Sequence, residues 1–347
     1  MARDRAPLQV FEASDMKKLM NAADDYVSEA LAGLALAHGG AYSLGGANGR
    51  VISRSSSKPT GLVGVVTGGG FGHLPLFAGY VGEGLVDVCA VGNVFAGPSL
   101  DDVAEALTAA DRGAGVLSVI GNYGGDTMVF GMAAEMARER GLDCETVIVA
   151  DDVASAPRDR ADTRRGVAGL VLAFKIAGAA AEAGQSLSEV KNITERAMAG
   201  CHSIGVALSP CTVPQAGKPT FELAADSIEI GMGIHGEKGL WRGPIRSADM
   251  VVDEMLGLLL DDMGLANGAS VTVLVNSLGA TPLDELYIMY RRAHEQLSRR
   301  AIKIGYSLVG HYSTSMEMAG ASISLMRLDD ELLSLLNAPA HCPLWRA

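Results

Sequence analysis

Three glycine-rich stretches carry residues able to do chemistry. In Ile230-Gly231-Met232-Gly233-Ile234-His235-Gly236-Glu237 one histidine stands between glycines, at the end of an alternating run of Ile228, Ile230, Met232 and Ile234. The alternation reads as a half-buried strand. The glycines leave the imidazole without bulky neighbours and let backbone or ligand approach closely. A neutral imidazole held that way serves as base, metal ligand or nucleophile toward an electrophilic carbonyl. A plain turn histidine after a strand is the simpler alternative.

The second stretch, Thr67 to Pro75, reads TGGGFGHLP and follows the apolar run Leu62 to Val66. No G-K-[ST] follows and the full G-x-G-x-x-G is not met, so it is not a nucleotide loop of either kind. Its glycines, Gly70 and Gly72 among them, can nevertheless expose backbone N–H groups to a polar ligand, with His73 at the rim. The alternative is a tight turn with a surface histidine. The third, Asn122-Tyr123-Gly124-Gly125-Asp126, follows Gly121 at the end of another strand-like run. Ligands gather at the carboxyl edge of parallel sheets, so Asp126 is a candidate general base, or else a helix cap. Asp151-Asp152 ends the next strand in the same position, but no dedicated ligand cluster accompanies it and no metal is expected. Gly217-Lys218-Pro219-Thr220 mimics the end of a phosphate loop, yet proline stands where the motif needs another residue, and it is discounted.

The elements that must position these loops alternate. Residues 15–38 have helical spacing and stop at Gly39-Gly40. Strands are expected at 62–66 and near 86–91, 115–120 and 145–149, with helices near 99–112 and 127–140. Two helices fill 166–200, and Ser99/Asp102 and Ser186/Glu189 have capping-box spacing. Beyond 200, strands near 203–208, 227–234, 270–276 and 304–309 alternate with helices near 247–263 and 281–299. Asp-Asp-Glu-Leu-Leu-Ser-Leu-Leu forms a last helix. The reading is an α/β protein of two domains, 1–200 with the glycine-rich loops and 201–347 with His235. Each is expected to be a mostly parallel sheet flanked by helices.

The totals agree with a chain of 347 residues able to bury two cores. A formal charge of −12 and no basic run argue against nucleic acid or an anionic membrane. Five cysteines without a C-x-x-C pair suggest free thiols in a reducing cytoplasm. The start, MARDRAPLQV, has no apolar core and is expected to be neither leader nor anchor. No apolar run reaches transmembrane length.

Read together, the stretches GGGFGH, NVFAGPS, NYGGD, DDVA and RRGVAGLVLAFKIAGAAAEAG resemble the dihydroxyacetone kinase family, specifically its ketose-binding subunit. The similarity continues through GVALSPCTVPQAGKPTFEL, GMGIHGEKG, TPLDELYIMYRR and STSMEMAGASISL, from about residue 15 to 339. The resemblance implies a two-domain α/β subunit, usually a homodimer, that captures a short ketose covalently. It assigns His235 to the hemiaminal with the substrate carbonyl, Asp126 to deprotonation of the terminal hydroxyl, and His73 to a hydrogen bond or proton relay. It also puts ATP, or an ADP rephosphorylated in place, with magnesium on a separate helical subunit, leaving no cofactor in this chain. The substrate loop departs from the family's usual GGGSGHEP at Phe71 and Leu74, and Gly121 stands where lysine is common. Fewer polar groups and more room point to a four- or five-carbon ketose such as erythrulose or apulose. The second implied possibility is a non-catalytic ketose sensor, the partner of a transcription regulator.

Overall fold

Strands and helices alternate along much of the chain in the computed structural model, which describes residues 17–345. The start, MARDRAPLQV, lies outside the described residues. Helix α1 (Tyr26–Ala37) begins later than its spacing predicted, and Leu19 is fully exposed. The first layer then runs β1 (Tyr42–Gly45), β2 (Val51–Arg54), β3 (Gly64–Phe71), β4 (Val88–Val94), α2 (Leu100–Ala110), β5 (Val116–Gly121), α3 (Gly124–Glu139) and β6 (Cys144–Val149). Helices α4 (Gly169–Glu182) and α5 (Leu187–Ala199) complete it. The sheet order is β1-β2-β4-β3-β5-β6, with β4, β3, β5 and β6 parallel and the β1–β2 edge antiparallel. Valines of one face pack with Phe130, Val103 and Leu107 from α2 and α3; the other face packs on α4, buried from Gly169 to Ala181. Both expected caps form: Ser99 accepts from the Asp102 N–H, and Ser186 with Glu189 makes a reciprocal capping box.

After Gly200 the chain enters β7 (Cys201–Ser209), a small hairpin of β8 (Thr212–Val213) and β9 (Lys218–Pro219), then β10 (Ser227–Ile230) and β11 (Trp241–Pro244). There follow α6 (Ala248–Met263), β12 (Ser270–Ser277), α7 (Leu283–Arg299), β13 (Lys303–Gly310), β14 (Ala319–Leu328) and α8 (Asp330–Asn337). Two α/β layers are present, as expected, but the direction of the second sheet needs correction. Its order is β11-β10-β7-β14-β12-β13, and only β12–β13 is a parallel pair. The unforeseen β14, AGASISLMRL, lies between β7 and β12 and antiparallel to both. Its alanines, glycine and serines carry little apolar signal, although nearly all are buried.

The second correction concerns β10. It stops at Ile230 instead of running to 234, because Gly231 has φ of +83° and leaves extended geometry. His235 therefore rides on a loop, although Met232 and Ile234 remain buried beneath it. One face of the second sheet packs on α6 and α7. Its other face supplies Leu274, Leu308 and Met326 to the core beneath α4, so the two sheets share apolar packing. Helix α8 packs on the same core, and Trp345 meets Tyr80 at 6.0 Å. No helix among the described residues is long and apolar enough to cross a membrane. All five cysteines are free thiols.

Candidate active site

Strand β3 delivers Phe71, and Gly72 at φ of +102° turns the chain so that His73 enters the interior. Its ring is 1% exposed. The loop after β13 clamps this turn from the second layer. Thr314 accepts from His73 Nδ1 through its carbonyl at 2.7 Å, its hydroxyl donates to the Leu74 carbonyl at 2.8 Å, and the Met316 N–H donates to Gly72 at 2.8 Å.

The loop between β10 and β11 brings the second imidazole. The Gly231 N–H donates to the Gly205 carbonyl at 2.7 Å, and the Ser315 hydroxyl donates to the Ile234 carbonyl. Glu237 fixes the ring itself, accepting from the His235 backbone N–H at 2.9 Å and from Nδ1 at 3.1 Å. The other ring nitrogen, Nε2, lies 3.1 Å from Nε2 of His73. The convergence that no sequence could test is thus present: an imidazole from each layer, edge to edge. Phe95 stacks on His73 with centroids 4.8 Å apart, and Tyr123 stands edge-on to His235 at 4.8 Å. These aromatic rings flank the pair, with His73 buried and the His235 side chain still 25% exposed.

Burial and the adjacent His235 push His73 down to about 3, against the pull of the Thr314 carbonyl and Glu237. Glu237 goes the other way. Burial raises it, but the hydrogen bond and charge of His235, aided by Arg165, hold it at about 2. Arg165 lies 3.9 Å from Glu237 and is itself paired with Asp152 at 2.7 Å. Asp126, in the first turn of α3, is buried, and its Oδ1 has no hydrogen-bond partner. Gly97 faces that oxygen so closely that any side chain there collides with it. Burial, opposed by His235, pushes Asp126 up to about 6. A carboxylate so placed is ionised at neutral pH yet basic enough to take a proton from an alcohol under attack.

Other candidates fall elsewhere. The ring of Phe71 packs edge-on against Tyr26 at 6.3 Å, and Leu74 joins it on a groove bordered by Lys18, Met316 and Glu317. Neither side chain stands between the two imidazoles: Phe71 is buried against Tyr26, and Leu74 lines the groove. Gly121 leaves no free space either: a Cβ there meets the Tyr123 ring at 3.2 Å and Leu170 at 3.4 Å. Asp151 spends its oxygens on the N–H groups of Val167 and Gly169, and Asp152 on Arg165 and Ala154. Among the described residues no group of three or more His, Cys, Asp or Glu could hold a metal. Lys218 sits in the exposed hairpin. Glu237, Tyr123, Phe95 and Arg165 were not singled out from sequence. For Glu237 a signal existed, a carboxylate two residues after the glycine-flanked histidine.

Residues 32–344 match the family model described as the Dak1 domain. The chain belongs to the Dak1 family. The Dak1 chain is 44% identical over 331 residues to the dihydroxyacetone-binding subunit of PTS-dependent dihydroxyacetone kinase 2 from Listeria innocua, covering 95% of this chain and 99% of that one. It is 41% identical over 299 residues to L-erythrulose kinase of Pectobacterium atrosepticum, covering 85% of this chain and 51% of that protein. Among solved structures, the dihydroxyacetone kinase of C. freundii superposes with a TM-score of 0.88 at 31% identity, covering 95% of this chain and 60% of that one. The Dak1 chain is therefore a ketose-binding subunit of the dihydroxyacetone kinase type, within a family of kinases.

Proposed function

We propose that the Dak1 chain holds a short ketose on His235 while a separate helical subunit, carrying ATP or ADP and magnesium, phosphorylates its terminal hydroxyl. The observation that carries this reading is the imidazole pair at 3.1 Å beside a buried carboxylate that lacks a partner. Nε2 of His235 adds to the ketose carbonyl, giving a hemiaminal. Asp126 takes the proton of the terminal hydroxyl as the phosphoryl group arrives. The covalent link suits a small, flexible substrate that offers little binding surface, because it makes the orientation of the hydroxyl an intramolecular matter. It also rejects polyols, which have no carbonyl.

The substrate we favour has four or five carbons, such as erythrulose or apulose. Position 121 brings no cation to the pocket, and the Tyr123 ring covers it. The Tyr123 hydroxyl is buried without a partner, as is Asp126 Oδ1, so a ketose with an additional hydroxyl has two protein groups to satisfy. Similarity to an L-erythrulose kinase supports the same choice. A pure sensor serving a transcription regulator needs His235 but no base, so the environment of Asp126 favours the kinase. The reading further includes a homodimer in the cytoplasm, with domains meeting at residues 200 and 201.

The test is a ketose panel assayed with the cognate helical subunit and Mg-ATP. Expected are a higher kcat/KM for erythrulose or a pentulose than for dihydroxyacetone, no turnover by the Dak1 chain alone, and none with His235→Ala. Robust turnover by the isolated chain or by the alanine variant refutes the two-subunit, covalent reading. A preference for dihydroxyacetone refutes the substrate choice.

A further inference from the structure

The hydrogen bonds around the two imidazoles fix where their protons are. The Thr314 carbonyl can only accept, so Nδ1 of His73 carries hydrogen. A neutral His73 then presents a lone pair at Nε2, and the 3.1 Å contact requires hydrogen on Nε2 of His235. The Glu237 carboxylate can only accept as well, so Nδ1 of His235 also carries hydrogen. This pattern places a donor at both nitrogens of His235, the hydrogen bonding of an imidazolium. The opposite assignment, with the charge on His73, puts it on a ring 1% exposed with no carboxylate bonded to it.

We propose that Glu237 keeps His235 doubly protonated in the ketose-free protein, and that this stored proton, passed through His73, becomes the hydroxyl proton of the hemiaminal. The proposal rests on the ketose-holding role of His235 and adds Glu237 as its positioning residue. As the ketose arrives, the Nε2 proton moves to Nε2 of His73. The electron pair left on His235 Nε2 forms the bond to the carbonyl carbon. The π pair of the carbonyl moves to its oxygen, which takes the proton back from His73. The product is an Nε2-alkylated imidazolium whose Nδ1–H still donates to Glu237. No proton enters or leaves the site and its charge is unchanged, so no external acid or base is needed. His73 suits a relay: its burial, with His235 adjacent, keeps it from retaining the charge.

The groups facing this pair are few. Glu237 is on the same loop; Asp126 comes from α3; Arg165 precedes α4 and is paired with Asp152; Tyr123 offers a phenol whose burial raises it well above its ordinary value. Glu237 is held at about 2, so it stays ionised across the working range. Because the reactive form in the wild type already carries its proton, adduct formation does not decline in acid. Without the carboxylate, the neutral ring becomes the reactive form. The adduct then falls in acid by up to about tenfold per pH unit.

The experiment uses the full chain with 15N-labelled histidine, alone and with carbonyl-13C dihydroxyacetone, a probe suited to reading the hemiaminal carbon by NMR. Expected for the ketose-free wild type at pH 7 are two protonated ring nitrogens on His235 and one lone-pair nitrogen on His73. Glu237→Gln should show a lone-pair nitrogen on His235 and an adduct that declines in acid, whereas Glu237→Asp, which keeps the charge, should restore both wild-type signatures. A lone-pair nitrogen on His235 in the wild type, or coincident adduct profiles for wild type and Glu237→Gln, overturns the proposal. A doubly protonated ring that forms no adduct with any ketose overturns instead the covalent function, and the proton transfer with it.

Discussion

Replacing Asp126 with asparagine should strengthen the fold while stopping phosphoryl transfer. The carboxyl moves from 3.8 to about 6 on folding because burial penalises its charge. At about 1.4 kcal/mol per tenfold, the ionised form costs the folded state roughly 3 kcal/mol at neutral pH. Between 3.8 and 6 the folded chain binds more protons than the unfolded one. This group's contribution to stability therefore falls as pH rises through that window and levels off above it. Asparagine does not titrate. It leaves a buried amide donor short of a partner, at a cost of about 1 kcal/mol. The net expectation is an Asn variant more stable than wild type by about 2 kcal/mol at pH 7.5, with the advantage vanishing near pH 4. Denaturant unfolding of both proteins at the two pH values reads the difference directly. Ketose capture by NMR should persist in the variant, and phosphoryl transfer with the helical subunit should be lost. An Asn variant less stable than wild type at pH 7.5, or a gap independent of pH, refutes the burial argument.

Two further substitutions examine the substrate loop. Phe71→Ala should cost about 3–5 kcal/mol of stability, since the ring is buried against Tyr26, while leaving the ketose preference unchanged in the panel assay. A changed preference shows that the ring reaches the substrate. Gly121→Lys should not simply restore a cation: its Cβ already presses on Tyr123 at 3.2 Å and Leu170 at 3.4 Å. The variant should lose stability and at least tenfold in kcat/KM for every ketose, and a selective gain for dihydroxyacetone contradicts this.

What was legible in the sequence follows from how each feature is encoded. The βαβ alternation of the first layer was readable because β3, β5 and β6 are apolar runs bounded by glycine or by capped helices. In the second sheet β7, β10, β12 and β13 were readable but β14 was not, because it opens on Ala-Gly-Ala-Ser, which carries little apolar signal ahead of its core residues Ile323, Leu325 and Met326. The same limit applied within the site. His73, Asp126 and His235 stood out by residue type beside glycines, and the structure brings the two imidazoles together. Which side chains face inward at Phe71, Leu74 and Gly121 depends on a single turn at Gly72 and on the ring of Tyr123, neither of which periodicity reports.

The turn at Gly72 also explains why the site is divided between the layers. The loop after β13 both accepts the His73 proton donor at Thr314 and holds the His235 loop at Ser315, one residue further on. One short segment of the second layer thereby sets the position of an imidazole from each layer. The His235 ring on one layer and the His73 ring on the other keep their spacing only while that segment is in place. Asp126 needs no such tie, because the first turn of α3 fixes it within its own layer. The catalytic roles proposed for the three residues thus place different demands on the fold. His73 and His235 depend on the two layers staying docked, whereas Asp126 depends on the first layer alone and on the absence of a side chain at Gly97.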